Sequence, residues 1–213
     1  MVKTDNHNPK VKLDLRRYFL NKYHADNPPR VFDCCQGGGV MWGTLQKEFS
    51  IANYWGVDLK PKKGRLKIDS VRILEQGISE NVIDVDTYGE PWKHWLAMLP
   101  YIKKPMTVFL TIATIKIGGG GNITNEAKKE LGLDRLTRLP QSFYGKLTRH
   151  VPGIMLARAL DFAKITEAAE AVSAGNARYI GVHLEPINKN GLLTVDAARK
   201  PNTCKAVRSN ANV

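Results

Sequence analysis

The densest group of reactive side chains in the sequence is Asp84-Val-Asp86-Thr-Tyr-Gly-Glu-Pro91, which ends a short apolar run. A carboxylate at Asp86 and a turn carbonyl at Thr87 can accept the two N–H groups of an exocyclic amine on a nucleic-acid base. These hydrogen bonds draw the nitrogen lone pair out of conjugation, so that the nitrogen can attack an electrophilic methyl group. Tyr88 would stack on the base, and the turn ending at Pro91 would hold the groups at reactive distance. The alternative is a strand-end turn before a proline-initiated helix.

A second candidate site is the glycine turn Gln36-Gly37-Gly38-Gly39, which lies between an apolar run at 30–35 and a predicted helix at 40–49. Glycine lets the backbone approach a ligand, and the first turn of a helix offers free N–H groups. The glycines miss the dinucleotide pattern G-x-G-x-x-G by one position. No lysine or arginine lies between Asp33 and Gln46, which disfavours a phosphate-rich ligand. A tight turn without a ligand is the simpler alternative.

Two further carboxylates follow predicted strands. Asp58 ends the second strand, where a carboxylate can accept both hydroxyls of an adenosine ribose or merely cap the next turn. Asp69 follows the third strand and precedes Ser70, which also makes it a good helix N-cap.

Both motifs resemble those of one enzyme class. Asp33 followed by Gly37-x-Gly39 resembles the first motif of class I S-adenosylmethionine-dependent methyltransferases, an acidic residue followed by G-x-G-x-G, with Cys35 at the first glycine. The second motif resembles D-x-D-P-[FY]-G-[ST]-P of the tRNA guanine-N2 dimethyltransferase family, with Thr87 and Glu90 as departures. The positions kept are Asp84, Asp86, Tyr88, Gly89 and Pro91.

The resemblance implies S-adenosyl-L-methionine as cofactor and an N-methyltransferase activity on an exocyclic amino group. In that family the acidic residue before the glycine turn orients the methionine amine, and Asp69 would suit a contact to the adenine amino group. The implied cofactor-binding residues are Asp33, Gln36, Gly37, Gly39, Asp58 and Asp69. The implied catalytic residues are Asp86, Tyr88 and Pro91.

Strand and helix signals alternate along the chain, which predicts an α/β fold. We expect a Rossmann-like, doubly wound and mainly parallel sheet of seven strands that ends in an antiparallel hairpin. Pro152 is expected to open a long helix at 153–173. The hairpin is expected to join strands at 178–184 and 192–196 through the Asn188–Gly191 turn. Four glycines, Gly118–Gly121, suggest a mobile lid or an inert linker.

The predicted organisation has three parts: an N-terminal helical extension (1–29), the methyltransferase domain (30–199) and a basic, disordered tail (200–213). No membrane helix is expected, because no apolar window is long enough, and no secretory signal is expected, because residues 1–17 contain no apolar segment. The three cysteines are expected to be reduced in a cytoplasmic protein. The histidines do not fall at metal-ligand spacing with them, so no metal site is expected.

The net charge of +12 and the pI near 9.7 favour nucleic acid, RNA or DNA, as the partner. The candidate phosphate-binding residues are Lys116, Lys128, Lys129, Arg135, Arg138, Lys146 and Arg149. Three alternatives stay open: a nucleic-acid-binding module without catalysis, a small-molecule methyltransferase and a nicotinamide-dependent oxidoreductase.

Overall fold

The structure is a computed structural model that describes residues 9–62, 64–87, 90–112, 125–130, 132–133, 141–172 and 177–187. The helices are α1 (Pro9–Tyr23), α2 (Val40–Leu45), α3 (Ser70–Leu74), α4 (Trp92–Met98), α5 (Asn125–Glu130) and α6 (Gln141–Ala159), with a 3-10 turn at Leu99–Tyr101. The strands are β1 (Arg30–Asp33), β2 (Asn53–Asp58), β3 (Leu66–Lys67), β4 (Val82–Val85), β5 (Met106–Ile112), β6 (Ala163–Val172) and β7 (Arg178–Pro186).

The strands form one sheet in the order β3-β2-β1-β4-β5-β7-β6. The first five strands pair in parallel, and β7 pairs antiparallel with both β5 and β6. The strand order reverses direction between β1 and β4, so the crevice of an open α/β sheet lies at the carboxyl ends of these strands. The predicted fold class, a mainly parallel seven-stranded sheet with an antiparallel end, is confirmed.

The C-terminal part of the chain differs from the sequence prediction. The predicted helix at 153–173 is wrong: α6 begins at Gln141, contains Pro152 in its interior and ends at Ala159, and β6 then covers Ala163–Val172. Alanine and glutamate favour helices, so the sequence of β6 indicated a helix. Side-chain burial in β6 alternates residue by residue, because one face lies towards the sheet's helical cover. The observed antiparallel hairpin is therefore β6–β7, and the predicted turn and strand at 188–196 lie outside the described residues.

Helices cover both faces of the sheet. One face carries Val31, Val82 and Phe109, which pack against apolar residues of α1 and α2. The opposite face carries the alternate residues of the same strands, which pack against α3, α4 and α6. Consecutive strand residues point to opposite faces, so Asp33 and Asp84 lie on the side of α1 and α2.

Helix α1 lies directly on the sheet, in contact with β5, β6 and β7. Its Phe19 is fully buried, and a Cβ atom at Gly181 of β7 would lie 2.3 Å from the Phe19 ring. Only glycine at position 181 allows this approach. The predicted boundaries at residues 29 and 199 stay predictions, but α1 supplies part of the core.

Two buried histidines that share a threonine hydroxyl hold the end of α1 against the sheet. His24 Nε2 and His183 Nδ1 each lie 2.9 Å from the hydroxyl oxygen of Thr107, and the Tyr23 ring stacks on His183. Burial, and then the neighbouring His183, lower the pKa of His24 to about 4. Burial also lowers the pKa of His183. Both rings are therefore neutral in the folded protein at neutral pH.

The lowered pKa of His24 predicts that the protein loses stability in acid. An unfolded histidine titrates near pH 6.5, so between about pH 6.5 and 4 the unfolded chain binds more protons at position 24 than the folded protein does. The His24 contribution is fully present above this window and declines as the pH falls through it. We expect a loss of about 2 kcal/mol from this group, measured by urea unfolding at several pH values. His24→Gln, which can still bond Thr107 but does not titrate, should show a flatter profile; an equally steep one would contradict the assignment.

Candidate functional site

The predicted carboxylates meet at one edge of the sheet. Asp33 is the last residue of β1, Asp58 is the last residue of β2, and Asp86 directly follows β4. These three strands are neighbours and run parallel, so their carboxyl ends share one edge. The glycine turn follows β1 at the same edge.

The glycine turn has the backbone that only glycine adopts readily. Gly37 and Gly39 have φ angles of 50° and 68°, in the left-handed region. The Gly37 N–H donates to Asp58 Oδ2 at 2.9 Å, and the Gly39 N–H donates to the Gln36 carbonyl at 2.7 Å. These hydrogen bonds hold the turn in shape without a ligand. Its three glycines have no side chains that could cover the backbone.

Asp33 is buried beneath this turn. Its Oδ1 accepts from the Cys35 N–H at 3.2 Å, and its Oδ2 accepts from the Tyr54 hydroxyl at 3.1 Å. The Gln36 amide donates to the same hydroxyl oxygen at 3.0 Å, so Asp33 and Gln36 are joined through Tyr54. Burial, and then the nearby charge of Asp84, raise the pKa of Asp33 to about 8. A cation placed beside this carboxyl would favour its ionised form.

Asp58 and Asp69 both make local backbone contacts. Asp58 accepts from Gly37 through Oδ2 and from the Lys60 N–H through Oδ1 at 2.8 Å, so it ties the loop after β2 to the glycine turn. Asp69 is the N-cap of α3 and accepts from the Val71 N–H at 3.0 Å. The capping interpretation of Asp69 is therefore observed, and contacts of either residue with a cofactor stay predictions.

The two aspartates of the second motif are ion-paired with α1. The Lys12 ammonium lies 2.6 Å from both oxygens of Asp86. The Arg16 guanidinium makes a bidentate contact with Asp84, at 2.8 Å and 2.6 Å, and Trp42 Nε1 donates to Asp84 at 2.7 Å. Residues i and i+4 of a helix are about 6 Å apart, as are i and i+2 of a strand, so the two pairs match in register.

Asp86 is held in its ionised form. Burial by itself would raise the pKa of Asp86, but the charges of Lys12 and Arg16 and hydrogen bonds from Lys12 and Thr111 outweigh burial and lower it. The Asp86 side chain is 25% exposed, against 2% for Asp84. Asp84 is thus a buried group, whereas Asp86 is the member of the pair that is partly exposed to solvent.

The loop after Asp86 contains two polar atoms that are buried and have no hydrogen-bond partner among the described residues. They are Thr87 Oγ1 and Trp92 Nε1. Pro91 is buried and precedes α4, and the Glu90 carboxylate accepts from the Trp92 N–H at 2.9 Å. Tyr88 and Gly89 lie outside the described residues, so the stacking role of Tyr88 stays a prediction.

The predicted phosphate-binding residues are only partly described. Lys128 and Lys129 lie in the last turn of α5, which contacts α4, and Arg149 is exposed on α6. Lys116, Arg135, Arg138 and the glycine run Gly118–Gly121 lie outside the described residues, as does the side chain of Lys146. Their role stays a prediction.

Sequence reasoning missed four basic residues at this edge: Lys12, Arg16, Lys62 and Arg65. The first two are spaced i, i+4 in an amphipathic stretch, and the aspartates are spaced i, i+2, which is a detectable match. The last two lie in the loop after β2. A Cβ atom at Gly38 would lie 3.0 Å from Lys62 Nζ, and one at Gly39 would lie 3.0 Å from Arg65 Nη2.

Among the described residues, no three histidine, cysteine, aspartate or glutamate side chains are grouped to hold a metal ion. No described helix combines the length and apolar character needed to cross a membrane.

Comparison with solved structures identifies the fold. No family model matches the sequence, and no curated protein matches it. The structure is similar to Trm1 from Pyrococcus horikoshii in complex with S-adenosyl-L-methionine (TM-score 0.59, 18% identity), covering 88% of this chain and 58% of that one. It is also similar to TYW2 from M. jannaschii in complex with AdoMet (TM-score 0.53, 10% identity), covering 84% and 77%.

A third similar structure is a putative hemolysin from Streptococcus thermophilus (TM-score 0.51, 10% identity), for which the matched parts are 88% of this chain and 70% of that one. The chain therefore spans less than two thirds of the Trm1 structure and more of the other two. Together with the sheet order, these similarities show that the chain has the Rossmann-like fold of class I methyltransferases.

Proposed function

We propose that the protein is an S-adenosylmethionine-dependent methyltransferase that methylates an exocyclic amino group of a nucleic-acid base. The observation that carries the proposal is the position of Asp86: an ionised, partly exposed carboxylate at the end of β4, on the sheet edge that also holds the glycine turn. Two of the similar structures contain S-adenosylmethionine, which supports the same cofactor here.

The glycine turn and its carboxylates suit this cofactor. The positive-φ glycines have no side chains of their own to block the turn, the flexible ends of Lys62 and Arg65 lie above it, and Asp33 lies beneath it with a raised pKa. Asp86 and Asp84 are ion-paired with Lys12 and Arg16, whereas Asp33 has no ion pair among the described residues, so a cationic group beside it would favour its ionised form. The cofactor, held by Asp33, Gln36, Gly37, Gly39 and Asp58, with Asp69 at the adenine end, would supply a methyl group activated by a sulfonium.

The acceptor nitrogen would be oriented by residues of the chain. A carboxylate has about four lone-pair positions, and the Lys12 ammonium contacts each oxygen of Asp86 once. A further position of Asp86 would accept one substrate N–H while Lys12 stays in place, and the Thr87 carbonyl would accept the second. Tyr88 would stack on the base, and Pro91 would fix the turn.

The sheet topology argues against the oxidoreductase alternative. The dinucleotide-binding fold has an all-parallel sheet in the order 3-2-1-4-5-6, whereas here the antiparallel β7 lies between β5 and β6. Calorimetry with S-adenosylhomocysteine and with NAD separates the two functions. Binding of NAD alone would refute the proposal.

The direct test is incubation with a tritiated methyl donor and separate pools of RNA and DNA, followed by nucleoside analysis. We expect label in an N-methylated nucleoside from one pool. Nucleic-acid binding without transfer would favour a binding module, and label only in small-molecule amines would favour a different acceptor.

Lys12 offers a sharper prediction for the same site. Because its charge lowers the pKa of Asp86, Lys12→Gln should move the acid limb of the pH–rate profile to higher pH. Activity should persist above that limb, since Asp86 still ionises there. Lys12→Arg keeps the charge and should leave the limb nearly in place. A uniform loss of rate at every pH in Lys12→Gln would instead indicate a purely structural role.

A further inference from the structure

The loop between β2 and β3 is the most basic exposed segment of the described sequence. We define the basic loop as the described residues 60–62 and 64–65 together with β3 (Leu66–Lys67), in which Lys60, Lys62, Arg65 and Lys67 are all exposed. Within the described part of the chain, none of these four side chains is ion-paired with a carboxylate. Arg17, by contrast, pairs with Glu48. Among the described residues, the positive charge of the loop therefore has no carboxylate that compensates it.

The fold places this charge beside the proposed cofactor site. The loop starts at the edge of the sheet, where the Lys60 N–H donates to the Asp58 carboxylate, which also accepts from the Gly37 N–H. Lys62 Nζ and Arg65 Nη2 each lie 3.0 Å from where a Cβ atom on the glycine turn would be. The two cations thus lie over the turn and do not extend away from the site.

The distance to Asp86 suits a nucleic-acid strand. The loop follows β2, which is two strands away from β4 in the sheet. At about 4.8 Å per strand, the separation is roughly 10 Å. This is about three nucleotides at roughly 3.4 Å each along a helical strand. A strand with its target base at Asp86 would therefore bring neighbouring phosphates to the basic loop.

We propose that the basic loop binds backbone phosphates of the nucleic-acid substrate on the side of the target base nearest β2, through Lys62 and Arg65. Lys60 and Lys67 extend the same surface. The inference rests on the nucleic-acid partner of the proposed function, and not on methyl transfer. It adds a second surface to the predicted basic residues at 116–149, which follow β5 in the sequence.

The test compares Lys62→Gln/Arg65→Gln with Lys47→Gln/Lys103→Gln. Both double variants lose two exposed positive charges, but Lys47 and Lys103 lie outside the loop. The probe is a fluorescein-labelled oligouridylate of about 20 nucleotides, and its affinity is measured by anisotropy at several salt concentrations. We expect the loop variant to bind at least about 10-fold more weakly at low salt, with a slope of log K against log salt reduced by about 1.4. The control should change much less.

A second measurement separates phosphate binding by the loop from a contact between the loop and the cofactor. The affinity for S-adenosylhomocysteine, from calorimetry, should be the same in the loop variant and the wild type. A fall in that affinity with unchanged oligouridylate binding would assign the cations to the cofactor carboxylate and overturn the inference. Equal slopes in the two variants, or no binding of the probe by the wild type, would also overturn it. Loop-dependent binding by a protein that transfers no methyl group would refute the proposed activity and leave the inference standing.

Discussion

Replacing Asp86 with asparagine is expected to reduce methyl transfer by at least about 100-fold, as the loss of one preorganised polar group at a reacting centre commonly does. Asparagine keeps one oxygen acceptor but removes the negative charge and one of the two carboxylate oxygens. The proposed cofactor contacts lie at the ends of β1 and β2 and in the loops that follow them, so calorimetric affinity for S-adenosylhomocysteine should change little. The measurement is the initial rate with tritiated methyl donor on the RNA or DNA pool that the wild type modifies.

The controls for this prediction separate chemistry from folding. Asp86→Asn leaves the nearly buried Lys12 ammonium, 7% exposed, without its carboxylate. The double variant Lys12→Gln/Asp86→Asn removes both charges and should fold better than the single variant while staying inactive. Asp26 is exposed and distant from Asp86 in the sequence, so Asp26→Asn should be as active as the wild type. Recovery of activity in the double variant, or a rate near wild type in Asp86→Asn, would exclude Asp86 as the acceptor of the substrate amine.

Removing Arg16 is expected to have the largest effect on stability. Arg16→Met leaves the Asp84 carboxylate, 2% exposed, without its bidentate partner, and breaking such a buried pair costs about 3–5 kcal/mol. The measurement is the free energy of unfolding in urea, extrapolated to water. Arg17→Met, one position away, removes a partly exposed contact with Glu48 and should cost less than about 1 kcal/mol.

A second substitution tests the cause of that loss. Arg16→Met/Asp84→Asn removes the isolated charge but keeps an acceptor for Trp42 Nε1. We expect this variant to regain a large part of the lost stability, because the penalty comes from an uncompensated buried carboxylate. If the double variant is as unstable as Arg16→Met, packing of the arginine stem and not charge would explain the effect.

The fold could be predicted where local patterns and long-range packing agree. In the sequence, the buried parallel strands are short apolar segments that end at or just before an acidic residue. This pattern predicts that Asp33, Asp58 and Asp86 lie at one edge of the sheet. Strand β6 was missed because its alanines and glutamates favour a helix in isolation, and only pairing with β7 makes it a strand. The alternating burial of its side chains is set by neighbouring strands and helices that are distant in sequence, so the sequence of β6 alone does not indicate it.

The candidate site could be predicted in its carboxylates but not in its cations. Lys12 and Asp86 are 74 positions apart, and Arg16 and Asp84 are 68 apart, so no local motif joins them. No lysine or arginine is near the glycine turn in sequence, yet the loop after β2 brings Lys62 and Arg65 over it in space. A sequence motif contains the carboxylates that lie at one strand end. The cations that balance their charge come from distant parts of the sequence and are brought there only by folding.

The position of β7 between β5 and β6 has a consequence for synthesis on the ribosome. The strands up to β5 can assemble as soon as they emerge, but β6 has no place beside β5 until β7 has also been made. During that interval β5, whose seven residues are all buried in the finished protein, presents an open apolar edge. At about 5–20 residues per second the interval lasts several seconds, during which a nascent chain is most exposed to aggregation and most dependent on chaperones.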